Sequence, residues 1–156
     1  MRFLGNFGAK IDAKGRAFLP AAFRKVLQTH SESDLILRKD IYQKCLVLYP
    51  ESVWNEMSDT LRNKLDRWNP IHQSLFRQFV ANVEIVTLDA NGRLLISKRF
   101  LNTVNIQQEV SFIGIDNIIE IWEVEELNKS MMDVEEFSTT FESTMKKNNH
   151  ESCDTL

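Results

Sequence analysis

The sequence is poor in the residues that most catalytic and metal sites require. It has 5 glycines, 2 cysteines and 3 histidines among 156 residues. So few glycines leave no glycine-rich loop that would cradle a phosphate. The histidines, His30, His72 and His150, are scattered and lack partners at metal-ligand spacing. We therefore expect no metal site, no cofactor and no small-molecule substrate.

Disulfides and membrane segments are also not expected. Cys45 lies in the apolar run "KCLVLYP" and Cys153 in a polar tail, so a structural disulfide between them is not favoured. No apolar run approaches the roughly 20 residues that span a bilayer. The N-terminal "MRFLGNFGAKID" does not resemble a signal peptide. The sequence thus predicts a cytoplasmic protein.

The acidic net charge of −3 conceals an uneven distribution. Residues 1–103 carry an excess of Lys and Arg, whereas residues 104–156 carry an excess of Asp and Glu. A basic front and an acidic end are typical of a polyanion-binding surface followed by an acidic tail. Uneven solvation explains the same pattern, so charge alone does not decide between the two.

One short motif occurs twice. Asp12, Ala13, Gly15 and Arg16 of "KIDAKGRAFLP" recur 77 residues later in "TLDANGRLLIS". Further on, "DLILRKD" resembles "EVSFIGID", and "CLVLYPESVW" resembles "IIEIWEVEEL". Self-similarity of this kind indicates that one supersecondary unit has been duplicated.

Each unit predicts a β-hairpin, a short helix and a second β-hairpin. The Asp-x-x-Gly spacing suits a type I turn followed by a left-handed residue, as in a three-residue hairpin loop. Short helices are predicted at "AAFRKVL" and "KRFLNTV". The chain is therefore divided into a first unit at 1–54, connecting helices at 55–82, a second unit at 83–127 and an acidic, flexible tail at 128–156. Within the tail, "KKNNHESCDTL" is predicted to be disordered.

The repeated Asp and Arg residues allow two interpretations. In a structural one, Asp12 with Arg16 and Asp89 with Arg93 form cross-strand ion pairs that stabilise the turns. In a functional one, each Asp fixes the rotamer of an arginine that grips a phosphate or a guanine in the major groove. Two identical pairs at exposed tips favour the functional interpretation. Loop and flanking residues that would add contacts are Lys14, Asn91, Lys10 and Arg24.

With these motifs in order, the sequence resembles the MraZ family of bacterial transcriptional regulators. The resemblance is carried by "FLGNFGAKIDAKGR", "LYPESVW" and "LDANGRLLI" and covers about residues 1–127. It implies a mixed α+β, β-rich fold in which two tandem swapped-hairpin units of the AbrB type form an interleaved β-core with flanking helices. It also implies a homo-oligomeric ring, associated with the nucleoid. This ring would bind repeated promoter boxes in double-stranded DNA and repress its own division and cell-wall operon, with Arg16, Arg93, Asp12 and Asp89 as the motif residues.

Three other functions fit the sequence less well than DNA binding. An enzyme with Asp12 and Asp89 as paired carboxylates is disfavoured, because the neighbouring arginine lowers the pKa of each. An oligomeric protein-interaction module would instead use the acidic tail as a docking segment, and the Asp–Arg pairs would be structural. An antitoxin would share the fold, but the tail shows few regularly spaced apolar residues.

Overall fold

The computed structural model describes the backbone of residues 1–151 and the side chains of residues 1–147. Residues 152–156, with Cys153, lie outside the described part. The first half contains β1 (Phe3–Lys10), β2 (Arg16–Phe18), α1 (Ala21–Thr29), β3 (Asp34–Lys39) and β4 (Leu46–Pro50). Two connecting helices follow, α2 (Glu51–Lys64) and α3 (Pro70–Ala81). The second half contains β5 (Val83–Thr87), β6 (Arg93–Leu95), α4 (Lys98–Thr103), β7 (Glu109–Asp116) and β8 (Ile118–Glu123), and the chain continues into α5 (Val124–Ser130) and α6 (Val134–Glu151).

Strands from the two halves interleave in the sheets. A six-stranded antiparallel sheet has the order β1-β7-β8-β4-β3-β5, and β2 pairs with β6 in a separate two-stranded ribbon. Corresponding strands of the two halves occupy symmetric places about the central β4–β8 pair. The mixed α+β fold with two repeated, interleaved units is therefore confirmed.

The second predicted hairpin of each half is confirmed. Of the first predicted hairpin only the turn forms, because the two strands on either side of it pair with other strands. β3 pairs with β4, and β7 pairs with β8. In contrast, β1 pairs with β7 rather than β2, and β5 pairs with β3 rather than β6. The physical reason lies in the repeat itself, because equivalent strands carry similar apolar patterns and either copy can supply the partner.

The core lies between the sheets and the short helices α1 and α4. Apolar side chains from both halves fill it, including Phe23 and Phe100 from the equivalent helices and Ala17 and Leu94 from the ribbon. The Phe23 ring packs edge-on against Phe3, with 5.5 Å between ring centroids. Burying side chains of both halves in one core makes the folding of each half depend on the other.

The connecting helices have both a buried and an exposed apolar component. The rings of Trp54 in α2 and Phe79 in α3 are stacked, with centroids 5.0 Å apart. Trp68, between these two helices, and Ile71, near the start of α3, are 90% and 75% exposed. The large apolar side chains of this region thus contribute only partly to the core.

The C-terminal region is helical where it is described. Residues 1–126 form one compact unit, and the described residues from Leu127 onward form another. In the second unit, α6 extends from Val134 to Glu151 and so includes the beginning of "KKNNHESCDTL". The prediction of disorder is wrong for residues 146–151, because apolar residues at helical spacing precede them and allow the helix to continue. The rest of that segment lies outside the described residues.

No helix in the described part of the chain is both long enough and apolar enough to cross a membrane.

Candidate nucleic-acid interface

The first tip is a turn closed by its own aspartate. The carboxylate of Asp12 accepts hydrogen bonds at Oδ1 from the backbone N–H groups of Lys14 and Arg16, each at 2.9 Å. Its Oδ2 accepts from Arg16 Nε at 2.8 Å. The backbone N–H of Gly15 donates to the carbonyl of Asp12 at 3.0 Å. One carboxylate therefore fixes both the loop and the arginine that follows it.

The second tip repeats this arrangement atom for atom. Asp89 Oδ1 accepts from the N–H groups of Asn91 and Arg93 at 2.9 Å each, and Oδ2 accepts from Arg93 Nε at 2.8 Å. Gly92 N–H donates to the Asp89 carbonyl at 3.0 Å. The sequence prediction that each Asp meets its Arg at a turn is confirmed in this geometry, whereas a role in DNA binding stays a prediction.

Both glycines are required by the backbone. Gly15 has φ of +88° and Gly92 has φ of +81°, in the left-handed region that side chains rarely adopt. A Cβ on Gly15 would also lie 2.5 Å from the carbonyl oxygen of Ile96, and one on Gly92 would collide with the side chain of Arg24. Glycine thus permits the turn and also the close approach of the other half of the chain.

The electrostatics keep both carboxylates charged. The hydrogen bond from the Arg16 backbone N–H, with the bond from its guanidinium, holds the pKa of Asp12 below its ordinary value of 3.8. Arg93 has the same effect on the pKa of Asp89. Each Asp is therefore a permanent anchor for an arginine and a poor proton donor at neutral pH.

The two tips are joined into one structure. Ile96 N–H donates to the Gly15 carbonyl at 2.8 Å, and Leu19 N–H donates to the Gly92 carbonyl at 3.1 Å. Between these bonds, β2 and β6 pair antiparallel, so that Arg16 faces Leu95 and Phe18 faces Arg93 across the ribbon. The spacing of the repeat did not predict that its two arginines belong to one small ribbon.

The remaining predicted contact residues divide into three groups. Lys14 and Asn91 are exposed within the two loops. Lys10 is exposed at the end of β1, where it is paired with Glu109 of β7. Arg24 is half-buried, and its Nη1 lies 3.5 Å from the Asn91 carbonyl, so it supports the second tip.

The residue equivalent to Arg24 in the second half is Leu101, which makes the tips unequal. A Cβ placed on Gly15 would be in ordinary contact with the Leu101 side chain, whereas Gly92 has Arg24 as its neighbour. Sequence reasoning missed Leu101, although its position 77 residues after Arg24 was available as a signal. One tip thus rests on an apolar residue and the other on a cation.

One group of potential metal ligands occurs among the described residues. Oxygen atoms of Asp40 and Glu120 and the sulfur of Cys45 lie within 4.8 Å of one another. Asp40 Oδ2 already accepts from the N–H groups of Tyr42 and Gln43, which closes the β3–β4 turn. Burial, with the nearby carboxylates, raises the pKa of Cys45 to about 12. Because Asp40 is already engaged in these hydrogen bonds, we assign this group to the turn.

Comparison with known proteins agrees with the resemblance seen in the motifs. The family model described as "MraZ protein, putative antitoxin-like" matches residues 2–73 and 79–149. A protein of Phocaeicola vulgatus is 59% identical over 150 residues, which cover 96% of this chain and 97% of the relative. Another, of Bacteroides fragilis (strain ATCC 25285), is 56% identical over 147 residues, covering 94% and 93%.

A third relative, from Bacteroides thetaiotaomicron, is 54% identical over 151 residues and covers 97% of both chains. All three are named "Transcriptional regulator MraZ". These names describe regulators and not enzymes, in agreement with the expectation that the chain is not an enzyme. The tips, the interleaved halves and these matches together show that the chain belongs to the MraZ family.

Proposed function

We propose that the protein is a sequence-specific DNA-binding transcriptional regulator that represses its own division and cell-wall operon. The observation that carries this proposal is the pair of identical tips on one ribbon. Each Asp holds its Arg through Nε, and among the described residues no hydrogen bond engages the Nη atoms. Two guanidinium forks prepared in this way suit the phosphates or guanine edges of double-stranded DNA.

The residues have distinct roles in this proposal. Arg16 and Arg93 contact bases or phosphates directly, and Asp12 and Asp89 orient them. Residues that add loop or phosphate contacts are Lys14, Asn91, Lys10 and Arg24. Because phosphate contacts release counterions from DNA, affinity is expected to fall steeply as salt rises.

We further propose that the protein acts as a homo-oligomeric ring on repeated promoter boxes. Support comes from the exposed apolar residues near α2 and α3, since large exposed patches commonly mark protein interfaces. Tyr42, Trp68 and Ile71 are 91%, 90% and 75% exposed and adjoin or line this region. Several weak tips on one assembly gain affinity through effective concentration when their spacing matches that of the boxes.

The proposal also includes a division of the chain into units and a location in the cell. The repeated units are assigned to residues 1–54 and 83–127, joined by 55–82, with 128–156 as an acidic extension. A regulator of this kind is expected in the cytoplasm, associated with the nucleoid.

The test is binding of the full chain to the fragment upstream of its own gene, measured by fluorescence anisotropy over a salt series. Arg16→Ala and Arg93→Ala are compared with Arg77→Ala, a change on α3 away from the tips. We expect specific, salt-dependent binding that at least one tip variant reduces tenfold or more and that Arg77→Ala retains. Equal binding to unrelated DNA, or unchanged binding by both tip variants, would refute the proposal.

A second candidate function is protein docking through the acidic extension. It is favoured by the apolar residues Val134, Phe137, Phe141 and Met145 of α6, which recur at three- and four-residue spacing and are each at least 51% exposed. This stripe was not predicted from the sequence. Deletion of 128–156 would abolish function under this candidate and leave promoter binding unchanged under the first.

A further inference from the structure

The β2–β6 ribbon carries two large apolar side chains beside its arginines. Phe18 and Leu95 are 57% and 55% exposed, whereas Ala17 and Leu94 are 1% and 0% exposed. Successive side chains of a strand point to opposite faces. The outward face of the ribbon therefore consists of two arginines and two apolar residues, Arg16, Phe18, Arg93 and Leu95.

The register places one apolar side chain beside each arginine. Leu95 is the cross-strand partner of Arg16, and Phe18 is the partner of Arg93. The guanidinium carbon of Arg93 lies 5.9 Å from the centre of the Phe18 ring. Phe18 and Leu95 are also equivalent positions of the repeat, so the same combination of cation and apolar group occurs twice. A single exposed apolar residue is common on protein surfaces and indicates no ligand. A repeated pair beside the arginines instead indicates a ligand that has both hydrogen-bond acceptors and apolar groups.

We propose that Phe18 and Leu95 are specificity-determining residues that contact the C5-methyl groups of thymine in the major groove. This inference rests on the proposed DNA-binding function and deepens it. A two-stranded β-ribbon fits the major groove, and the thymine methyl is the apolar group exposed there. Phosphates or base edges beside the methyl are then within reach of the arginines, and the apolar contact excludes water from between them.

The hydrogen-bonding groups on this face disfavour a second copy of the chain as the occupant. Each guanidinium is paired with its own aspartate through Nε, so its Nη atoms are the donors that it offers to a ligand. Two such faces in contact would place these donors against apolar side chains and other donors, which leaves them without acceptors. A polyanion that is rich in acceptor oxygens and also carries methyl groups complements both features of the face. DNA satisfies this requirement.

The test removes the methyl groups from the DNA and leaves the protein unchanged. The promoter fragment is compared with the same fragment in which deoxyuridine replaces thymidine, since this substitution keeps base pairing and backbone charge. Affinity of the unmodified protein is expected to fall about fourfold for each contacted methyl, because a buried carbon group contributes about 0.8 kcal/mol. In Phe18→Ser and Leu95→Ser, the difference in affinity between the two fragments should be smaller. The control is Leu4→Ser, a change at an exposed residue near the start of β1, and it should retain the full difference.

The possible failures are distinguishable. If the protein does not prefer the promoter fragment over an unrelated duplex, the proposed function itself fails. If it prefers that fragment but binds the deoxyuridine version equally, the DNA-binding function stands and the methyl contact is refuted. If Phe18→Ser or Leu95→Ser alters the oligomeric state in gel filtration and leaves the discrimination intact, the face contacts another copy and the inference is overturned.

Discussion

At the scale of single residues, Asp12 and Asp89 each hold a loop and an arginine together. Their carboxylates receive two backbone hydrogen bonds and one guanidinium bond apiece. An Asn in either place would lose the charge that attracts the guanidinium, although one oxygen could still accept the backbone bonds. The charge of the side chain, and not only its shape, is thus needed at these positions.

The first prediction concerns the titration of these two groups. Because both pKa values are lowered from 3.8, the stabilisation that the carboxylates provide is complete above that value. It is lost as the pH falls through the lower, folded-state pKa. NMR of the carboxyl carbons should show both residues titrating below 3.8. Arg16→Ala should raise the pKa of Asp12 and leave that of Asp89 unchanged. Equal shifts in both would show that the pKa of each carboxylate is not set by its own arginine.

A second prediction concerns Cys45, which is fully buried. Burial, followed by the charges of Glu120 and Asp40, raises its pKa to about 12, so the reactive thiolate is scarce at pH 8. In a Cys153→Ser variant, the folded protein should resist iodoacetamide at pH 8, and unfolding in guanidinium chloride should expose one thiol. Rapid alkylation of the folded variant would show that the β3–β4 turn opens readily.

At the scale of elements, the turns depend on glycine in different ways. Gly15→Ala would strain the left-handed backbone and meet the Ile96 carbonyl, so we expect a loss of about 1–3 kcal/mol in the free energy of unfolding. In Gly92→Ala the added Cβ meets the flexible Arg24 side chain, so this change should lower the free energy of unfolding by less than Gly15→Ala does. Gly8→Ala, with no atom within 4 Å of the added Cβ, is the matched control. Urea denaturation measures all three, and a Gly15→Ala variant as stable as Gly8→Ala would contradict this account.

The elements themselves were largely predictable from local sequence. The Asp-x-x-Gly-Arg spacing specified both turns, and apolar alternation specified the strands and the second hairpins. The exchange of β1 and β5 between halves was not predictable from spacing, because repeated strands offer two nearly equivalent partners. The apolar stripe of α6 was predictable from its three- and four-residue spacing and was obscured by the acidic residues between its members.

The composition of the ribbon face was beyond the reach of local sequence. Arg16 and Leu95 become neighbours only through the long-range β2–β6 pairing. The same holds for Arg24. It lies in α1 of the first half and contacts the tip of the second half. Such residues are found by pairing the two copies of the repeat with each other and not by reading each copy alone.

At the scale of the whole molecule, the two halves are interdependent. In the first half, β1 and β2 pair with β7 and β6, and β3 pairs with β5 as well as β4. A fragment of residues 1–66 therefore lacks three of these partner strands, β5, β6 and β7. We expect it to be unfolded as a monomer or to associate with itself; cooperative unfolding of a monomeric fragment, seen by circular dichroism and light scattering, would contradict the interleaved core.

We propose that, in the whole molecule, both tips form one DNA-reading surface. Hydrogen-exchange mass spectrometry of the full chain, with and without the promoter fragment, is the sharpest test of this proposal. We predict that DNA slows exchange in peptides covering residues 10–19 and 87–97 together and leaves peptides covering 51–81 nearly unchanged. Protection confined to 51–81, or to one tip alone, would contradict the claim.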